Sequence, residues 1–235
     1  MMCELMLEID GMPVFIYDEV SSTMDIALEH FMAVDYEFAV FAASQTKGVG
    51  RNMSYWSSPK GNIYLSIVKK LPSNINNISS LSLVASIAVG DLVQKFSNLD
   101  ISYKWPNDVM VNGKKIAGIL LQMVENFVVI GIGINILSAP SDASMLGSTG
   151  AGLDSMCRSL VLLLNSRYNE WLLHGFIFLR ELWMQRAMGL NKMVYVSDYQ
   201  ECIGCFVGIN DCGAMLVKKN GVVNSYLSAE KVRVY

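Results

Sequence analysis

The chain has 235 residues, of which 52% are hydrophobic and 17% charged, against a usual charged fraction of about 25%. Its net charge is −3, and no Lys/Arg-rich block is present, which argues against a general nucleic-acid binder. No apolar run reaches the roughly 18 residues of a membrane span, and that length accommodates one sizeable domain or a domain with a small appendage.

The N-terminus "MMCELMLEID" carries Glu4 and Glu8 and no basic region, so a secretory signal is not expected and the cytoplasm is the expected location. "PVFIYDEV" (Pro13 to Val20) reads as a strand. "SSTMDIALEHFM" follows as a helix with Ser or Thr available as N-cap. "FAVFAAS" (Phe38 to Ser44) is a continuous apolar run, as in a strand buried on both faces. It leads into the glycine-bearing loop "QTKGVGRNMSYWSSPKG" and the strand "NIYLSIVKK". "SSLSLVASIAVGDLVQKF" has Leu81, Val84, Ala88 and Leu92 at helical spacing. "ISYKW" and "KIAGILLQMV" read as strands flanking a turn at Asn112-Gly113, and "FVVIGIGINI" as a further strand.

Ser138 to Gly152 is a polar, Gly/Ser-rich connection. A long amphipathic helix is expected over about Leu153 to Leu173, with a second around "FLRELWMQ". From Asn191 onward, five short runs ("MVYVS", "CFVGI", "AMLVK", "VVNSYL", "KVRVY") suggest a small five-strand barrel. The expected fold class is α+β: a mixed sheet with helices packed on one face, in residues 1–187, then a small β-barrel in residues 188–235.

Cys3, Cys157, Cys202, Cys205 and Cys212 are an odd number in a chain without a signal, so buried, inert thiols are expected rather than disulfides. The two cysteines of "CIGC" would face opposite sides of a strand, and no second cysteine pair or His cluster completes a metal site. His30 and His174 are far apart in sequence with no obvious partner.

Three constellations could carry chemistry. The loop Gly48 to Arg51 follows a buried strand; its glycines let backbone N–H groups approach an anion, and Arg51 can grip phosphate or carboxylate. It lacks the Gly-Lys-Ser/Thr ending of a Walker loop, and a plain glycine turn explains it equally well. In "KWPNDVMVNGKKIAGIL" (Lys104 to Leu120), Asn107 and Asp108 sit just past a strand end, and Lys115 opens a mostly apolar strand. A lysine there needs an anion partner. That partner is either a ligand or Asp108 across the hairpin. In "GIGIN" (Gly131 to Asn135), glycines within a strand mark close approach of a ligand or of another part of the chain.

These residues resemble the signature of the biotin protein ligases, the biotin–[acetyl-CoA-carboxylase] ligases. "SST" (Ser21 to Thr23), "SQTKGVGR" with "YWSSPKGNIYLSIV", "KWPNDVMVNGKKIAGIL" and "VVIGIGINI" match the family's segments in order, and the C-terminal strands resemble its SH3-like module. The resemblance implies a class II synthetase-like catalytic domain and a two-step reaction. Biotin and MgATP give biotinyl-5'-AMP, and biotin then passes to a lysine of a biotin carboxyl carrier domain of acetyl-CoA carboxylase or a related acyl-CoA carboxylase. Lys115 and Arg51 would be the catalytic cations. Ser22, Thr23, Met24, Gln45, Gly48, Val49, Gly50, Gly118 and Gly131 would complete the biotin site. Trp56, Asn107, Asp108 and Asn135 would serve ATP and the adenylate, and Mg²⁺ would come with ATP, its protein ligands unassigned. The loop from Thr46 to Ser54 would order over the ligands.

Several positions depart from the family pattern. Its loop usually reads Gly-Arg-Gly-Arg, but here Val49 replaces the first arginine; Ser54 stands where a basic residue is common, and Met24 replaces an asparagine. Each missing charge-assisted contact is worth roughly 1.5–3 kcal/mol, and Lys47 is the nearest candidate to compensate. The first family strand begins near Pro13, so the resemblance is to the monofunctional class without an N-terminal DNA-binding domain. A homodimer through the sheet occurs in the family and would suit the apolar composition. Two other readings are a lipoate or octanoate ligase or transferase on the same scaffold, and a biotin-binding protein whose catalytic loop has weakened.

Overall fold

A computed structural model describes residues 5–72, 78–198 and 201–235; Cys3 lies outside them. The first eight strands are β1 (Leu5–Ile9), β2 (Met12–Val20), β3 (Phe38–Gln45), β4 (Ile63–Lys70), β5 (Ile101–Lys104), β6 (Asp108–Val111), β7 (Lys114–Val124) and β8 (Phe127–Ile134). They form one sheet in the order β1-β2-β3-β4-β8-β7-β6-β5. β2 and β3 are parallel, and the other neighbours are antiparallel. The parallel pair needs a crossover, which α1 (Thr23–Phe31) supplies. Ser22 caps α1, its Oγ accepting from the Met24 N–H at 3.3 Å.

Two strands were not read from the sequence. β1 pairs with β2 around Asp10 and Gly11, which hold φ of 53° and 74°. β6 lies between the two runs expected to flank the Asn-Gly turn, and it is β6 that Asn112 and Gly113, at φ 51° and 74°, fold back onto β7.

Helices α2 (Leu81–Phe96), α3 (Leu153–His174) and α4 (Phe176–Met184) form the expected layer on one face. α2 is buried at nearly every position from Leu81 to Val93, which suits a helix apolar all round. Buried aromatic side chains in this layer keep their polar tips bonded: Trp171 Nε1 donates to Ser80 Oγ (3.0 Å), Trp183 Nε1 to Ser86 Oγ (3.1 Å) and Tyr168 Oη to the Lys70 carbonyl (2.6 Å). The one-faced expectation needs a correction at α1. Along β8, Val128, Ile130, Ile132 and Ile134 join the core beneath α2 and α3, whereas Phe127 and Val129 join a second core with Met24, Ile26 and Ala27 of α1. Alternation along the strand puts these sets on opposite faces, so α1 covers part of the far face and leaves the remainder open. No helix among the described residues is long and apolar enough to cross a membrane.

The last strands, β9 (Met193–Ser197), β10 (Glu201–Ile209), β11 (Met215–Lys219), β12 (Val222–Tyr226) and β13 (Lys231–Val234), form a second, antiparallel sheet ordered β12-β11-β10-β9-β13, compatible with an SH3-like module. Val194, Phe206 and Val217 continue the main core, and the Trp105 indole donates to the Gly213 carbonyl at 2.9 Å. Cys157 and Cys202 are buried free thiols as expected; Cys205 is half-buried and Cys212 is exposed, contrary to that expectation. Both histidines have partners: the His30 ring meets the Tyr17 hydroxyl at 2.8 Å, and His174 packs on Phe178.

Candidate active site

A cavity of about 340 Å³ opens on the sheet face that α1 leaves uncovered. Its floor is bare backbone. Gly131 and Gly133 lie on the open side of β8, and Gly118 of β7 pairs with Gly133. Each glycine admits a side chain that a methyl group would repel. A Cβ at Gly133 would lie 2.5 Å from Trp56 Nε1, one at Gly118 would lie 3.2 Å from Trp56 Cζ3, and one at Gly131 would lie 2.5 Å from Met24 Sδ. The Trp56 indole therefore rests across the Gly118–Gly133 pair, and Met24 occupies the space above Gly131.

The position of Lys115 follows from a bulge. Val109 pairs with Ala117 and Met110 with Lys115, which leaves Ile116 as the extra residue on β7. Ile116, Ala117 and Ile119 enter the helix-side core, so Lys115 and Gly118, three apart, both face the cavity. Lys115 Nζ lies 2.6 Å from Asp108 Oδ1 and 5.1 Å from the centre of a Trp56 ring. The Asp108 pairing that the sequence allowed is thus present, and it sits in the cavity wall.

Arg51 reaches the same end from the covering loop. Its Nη1 donates to Asn107 Oδ1 at 3.2 Å and its Nη2 to the Ala229 carbonyl of the C-terminal module. Asn107 is fixed in turn by its Nδ2, which donates to the Ile119 carbonyl at 2.9 Å. Burial pushes the Arg51 guanidinium below its usual pKa, while the Asp108 carboxylate acts to raise it; the group remains a cation. The loop is a tight hairpin. Val49 bridges Tyr55, the Gly50 N–H donates to the Ser54 carbonyl at 2.7 Å, and the Trp56 N–H donates to the Gly48 carbonyl at 2.9 Å. Asn52 and Met53 at its tip hold left-handed φ of 53° and 57°, a conformation uncommon for methionine.

The opposite end is polar and uncharged. Gln45 Oε1 accepts from the Thr23 N–H (2.8 Å) and from Thr23 Oγ1 (3.2 Å), and Gln45 Nε2 donates to Ser58 Oγ (2.9 Å). Ser66 Oγ donates to Thr23 Oγ1 at 2.8 Å. This network fixes the Thr23 and Gln45 side chains before any ligand arrives.

The cavity wall contains Ser22, Thr23, Met24, Gln45, Val49, Gly50, Arg51, Trp56, Asn107, Asp108, Lys115, Gly118 and Gly131, all expected from the sequence. Two expected residues lie outside it. Gly48 is a packing glycine, where a Cβ would come within 2.4 Å of Ser58 Oγ and of the Trp56 carbonyl. Asn135 is 3% exposed and works behind the site, its Nδ2 donating to the Ser144 carbonyl at 3.0 Å. Lys47 is exposed and lies outside the wall. Sequence reading missed Tyr64 and Glu230, and it marked the glycines of "GIGIN" without assigning Gly133 to the biotin site. Gly133 was findable, being two residues from Gly131 and so on the same face of the strand. Tyr64 donates to the Pro59 carbonyl at 2.8 Å, and burial pushes its phenol up to about 12. Glu230 comes from the C-terminal module and has no local signal.

The cavity wall holds two cations, Lys115 and Arg51, and two carboxylates, Asp108 (paired with Lys115) and Glu230, together with the uncharged hydrogen-bonding groups of Thr23 and Gln45. Cations so placed can stabilise charge that develops on phosphate or carboxylate oxygens.

Comparisons with known proteins agree. A model of the biotin/lipoate A/B protein ligase family matches residues 17–135. A biotin--[acetyl-CoA-carboxylase] ligase of Paracoccus denitrificans is 30% identical over 201 residues, which cover 76% of this chain and 83% of that protein. The bifunctional ligase/repressor BirA of Bacillus subtilis (strain 168) is 29% identical over 247 residues, 96% of this chain and 75% of that one. The biotin protein ligase from Aquifex aeolicus in complex with biotin and ATP superimposes with a TM-score of 0.86 at 26% identity, covering 94% of this chain and 99% of that one. From the family match and the similarity to the Paracoccus ligase, the chain belongs to the biotin/lipoate A/B protein ligase family.

Proposed function

We propose that the chain is an ATP-dependent biotin protein ligase that joins biotin to a lysine of a biotin carboxyl carrier domain. In the first step a biotin carboxylate oxygen attacks the α-phosphorus of ATP, and pyrophosphate leaves. In the second the lysine amine attacks the acyl carbon, and AMP leaves. Residues 1–187 carry the adenylation site, and residues 188–235 form the module that closes its rim.

The reading rests most directly on the convergence of Lys115 and Arg51, from different elements, on one end of a glycine-floored cavity. Lys115 and Arg51 hold the carboxylate and the α-phosphate. They stabilise the charge that builds there, and no covalent nucleophile is required. Ser22, Thr23 and Gln45 hydrogen-bond the ureido group. Gly118 and Gly131 give the rings access to the floor, and Met24 sets the depth above Gly131. Val49 and Gly50 belong to the cover. Trp56, Asn107 and Asp108 face the nucleotide; Gly48 and Asn135 support the loops from behind. Mg²⁺ would arrive with ATP, held mainly by phosphate oxygens and water.

Pyrophosphate–ATP exchange by the purified chain tests the proposal. Exchange that depends on biotin and is not supported by lipoate or octanoate is the expected result. Exchange with lipoate or octanoate in place of biotin would assign the other branch of the family.

A further inference from the structure

The last residue of β8, Ile134, pairs with Ala117, so the first residues of β7, Lys115 and Ile116 among them, extend past the end of β8. On the other edge β6 holds Lys115 through Met110. The connection that follows β8 turns back and fills the open edge. Ala143 bridges Lys115, the Ser144 N–H donates to the Lys115 carbonyl at 2.8 Å, and the Asn135 N–H donates to the Ile116 carbonyl at 2.9 Å. Both carbonyls at the bulge are therefore held from this side. Asn135 also fixes the connection itself. Its Nδ2 donates to the Ser144 carbonyl at 3.0 Å, and its own carbonyl accepts the Leu146 N–H at 3.0 Å. Asn62, 1% exposed, anchors the start of the connection. Its Oδ1 accepts from the N–H groups of Ile136 (2.8 Å), Leu137 (3.0 Å) and Ser138 (3.2 Å), and its Nδ2 donates to the Ser138 carbonyl at 3.0 Å. A polar stretch that reads as a plain connection is thus tied down at its start and at its middle.

We propose that Asn135 and residues 143–144 position Lys115 for the adenylation step, with Asn62 as the anchor behind them; the inference rests on the ligase reading above. Lys115 faces the cavity only while Ile116 stays bulged, and a bulge leaves its extra residue unpaired on the neighbouring strand. The bonds to the Lys115 and Ile116 carbonyls from the opposite edge hold that conformation. The Asn135 side chain lies outside the cavity wall, so it acts through Lys115 and not on a ligand. An amide suits the task, because it donates to the Ser144 carbonyl where a carboxylate would repel it. Misplacing a cation by about 1 Å from charge that develops in the transition state lowers the rate by up to about 10²-fold. Binding of biotin at the other end, by Thr23 and Gln45, does not draw on this segment.

Asn135→Ala removes the bond to the Ser144 carbonyl, and Ser144→Pro removes the N–H that the Lys115 carbonyl accepts. Each is made in the unsubstituted chain and in Lys115→Met, and biotin-dependent pyrophosphate–ATP exchange is measured on the full chain. Each alone is expected to lower kcat about tenfold while KM for biotin and for ATP stays within about twofold. In Lys115→Met no lysine remains to be positioned, so the same substitutions are expected to change kcat by less than about twofold. Losses of equal size with and without Lys115 would overturn the inference, because they would come from the fold at large. A rise in KM for ATP that matches the fall in kcat would also overturn it, by placing Asn135 on the nucleotide. So would unchanged kcat in both single variants. Ser144→Pro, at a half-buried position in the connection, carries the test if Asn135→Ala does not fold. Absence of exchange in the unsubstituted chain would instead defeat the ligase reading itself.

Discussion

Replacing Gly133 with alanine sets one methyl group against the indole that covers the cavity floor. The new Cβ would lie 2.5 Å from Trp56 Nε1 and 2.6 Å from Cε2. Heavy-atom contacts settle near 3.5–4.0 Å, so the ring must retreat by about 1 Å. β8 has little room to yield instead, because it is bonded to β4 on one side and β7 on the other. Trp56 sits on a loop, is half-buried, and its Nε1 has no hydrogen-bond partner among the described residues, so it moves more readily. The damage therefore falls mainly on site geometry. A displacement of this size is expected to lower kcat/KM for biotin-dependent pyrophosphate exchange by roughly 10–100-fold, about 1.4–2.7 kcal/mol. Stability should fall by no more than about 1–3 kcal/mol in a urea titration. Gly118→Ala is the internal comparison. Its Cβ would meet Lys115 Cε at 3.0 Å and Trp56 Cζ3 at 3.2 Å, both on side chains that can give by a few tenths of an ångström, so its effect should be smaller. Trp56→Phe in the Gly133→Ala background removes the clashing atoms, and the double variant should lose less than the sum of the singles. Unaltered kcat/KM in Gly133→Ala, or strictly additive losses, would refute the packing assigned to Trp56.

Other expectations concern charge, the core and pH. Lys115→Met should lower kcat by about 10²–10³-fold with the circular dichroism spectrum unchanged, since it removes a cation aimed at developing charge. Arg51→Lys should not restore what Arg51→Ala loses in ATP affinity, measured by calorimetry, because an ammonium cannot span Asn107 and the Ala229 carbonyl together. Ser86→Ala strands the buried Trp183 indole N–H and should cost about 1–3 kcal/mol in chemical denaturation. Burial raises the phenols of Tyr64 and Tyr103 from 10.0 to about 12 and the Cys157 thiol from 9.0 to about 12. Each keeps its proton in the fold at a pH where the unfolded chain has lost it. Their contribution is therefore complete below about pH 9 and is lost as pH rises towards 12, which a series of thermal melts would register as a falling Tm.

Much of the candidate site was legible because its parts sit in local signatures at strand ends and loops, three of them hairpin or helix-start segments. Ser22 and Thr23 begin a helix, Val49 to Trp56 form one hairpin, and Asn107 to Gly118 form another with its turn marked by Asn112-Gly113. Local chemistry of that kind survives in sequence. Registers and pairings do not. The bulge at Ile116 decides which side of β7 Lys115 faces, yet no special residue marks it. α1 reads as amphipathic, but the sheet face it covers depends on the crossover between β2 and β3. Asn135 lies next to Ile134 in a ligand-like motif, while the carbonyl it serves, that of Ser144, lies nine residues further on in a connection without regular structure. Ala229 and Glu230 reach the cavity only because the C-terminal module folds against the catalytic sheet, a contact between positions about 180 residues apart.

The decisive experiment is to incubate the purified chain with labelled biotin, ATP and Mg²⁺, with and without a biotin carboxyl carrier domain, and to locate the label by mass spectrometry. Label on one lysine of the carrier, dependent on ATP and lost in Lys115→Ala and Arg51→Ala, is the expected result. Biotin bound with neither pyrophosphate released nor carrier labelled would contradict a ligase and leave a binding protein in its place.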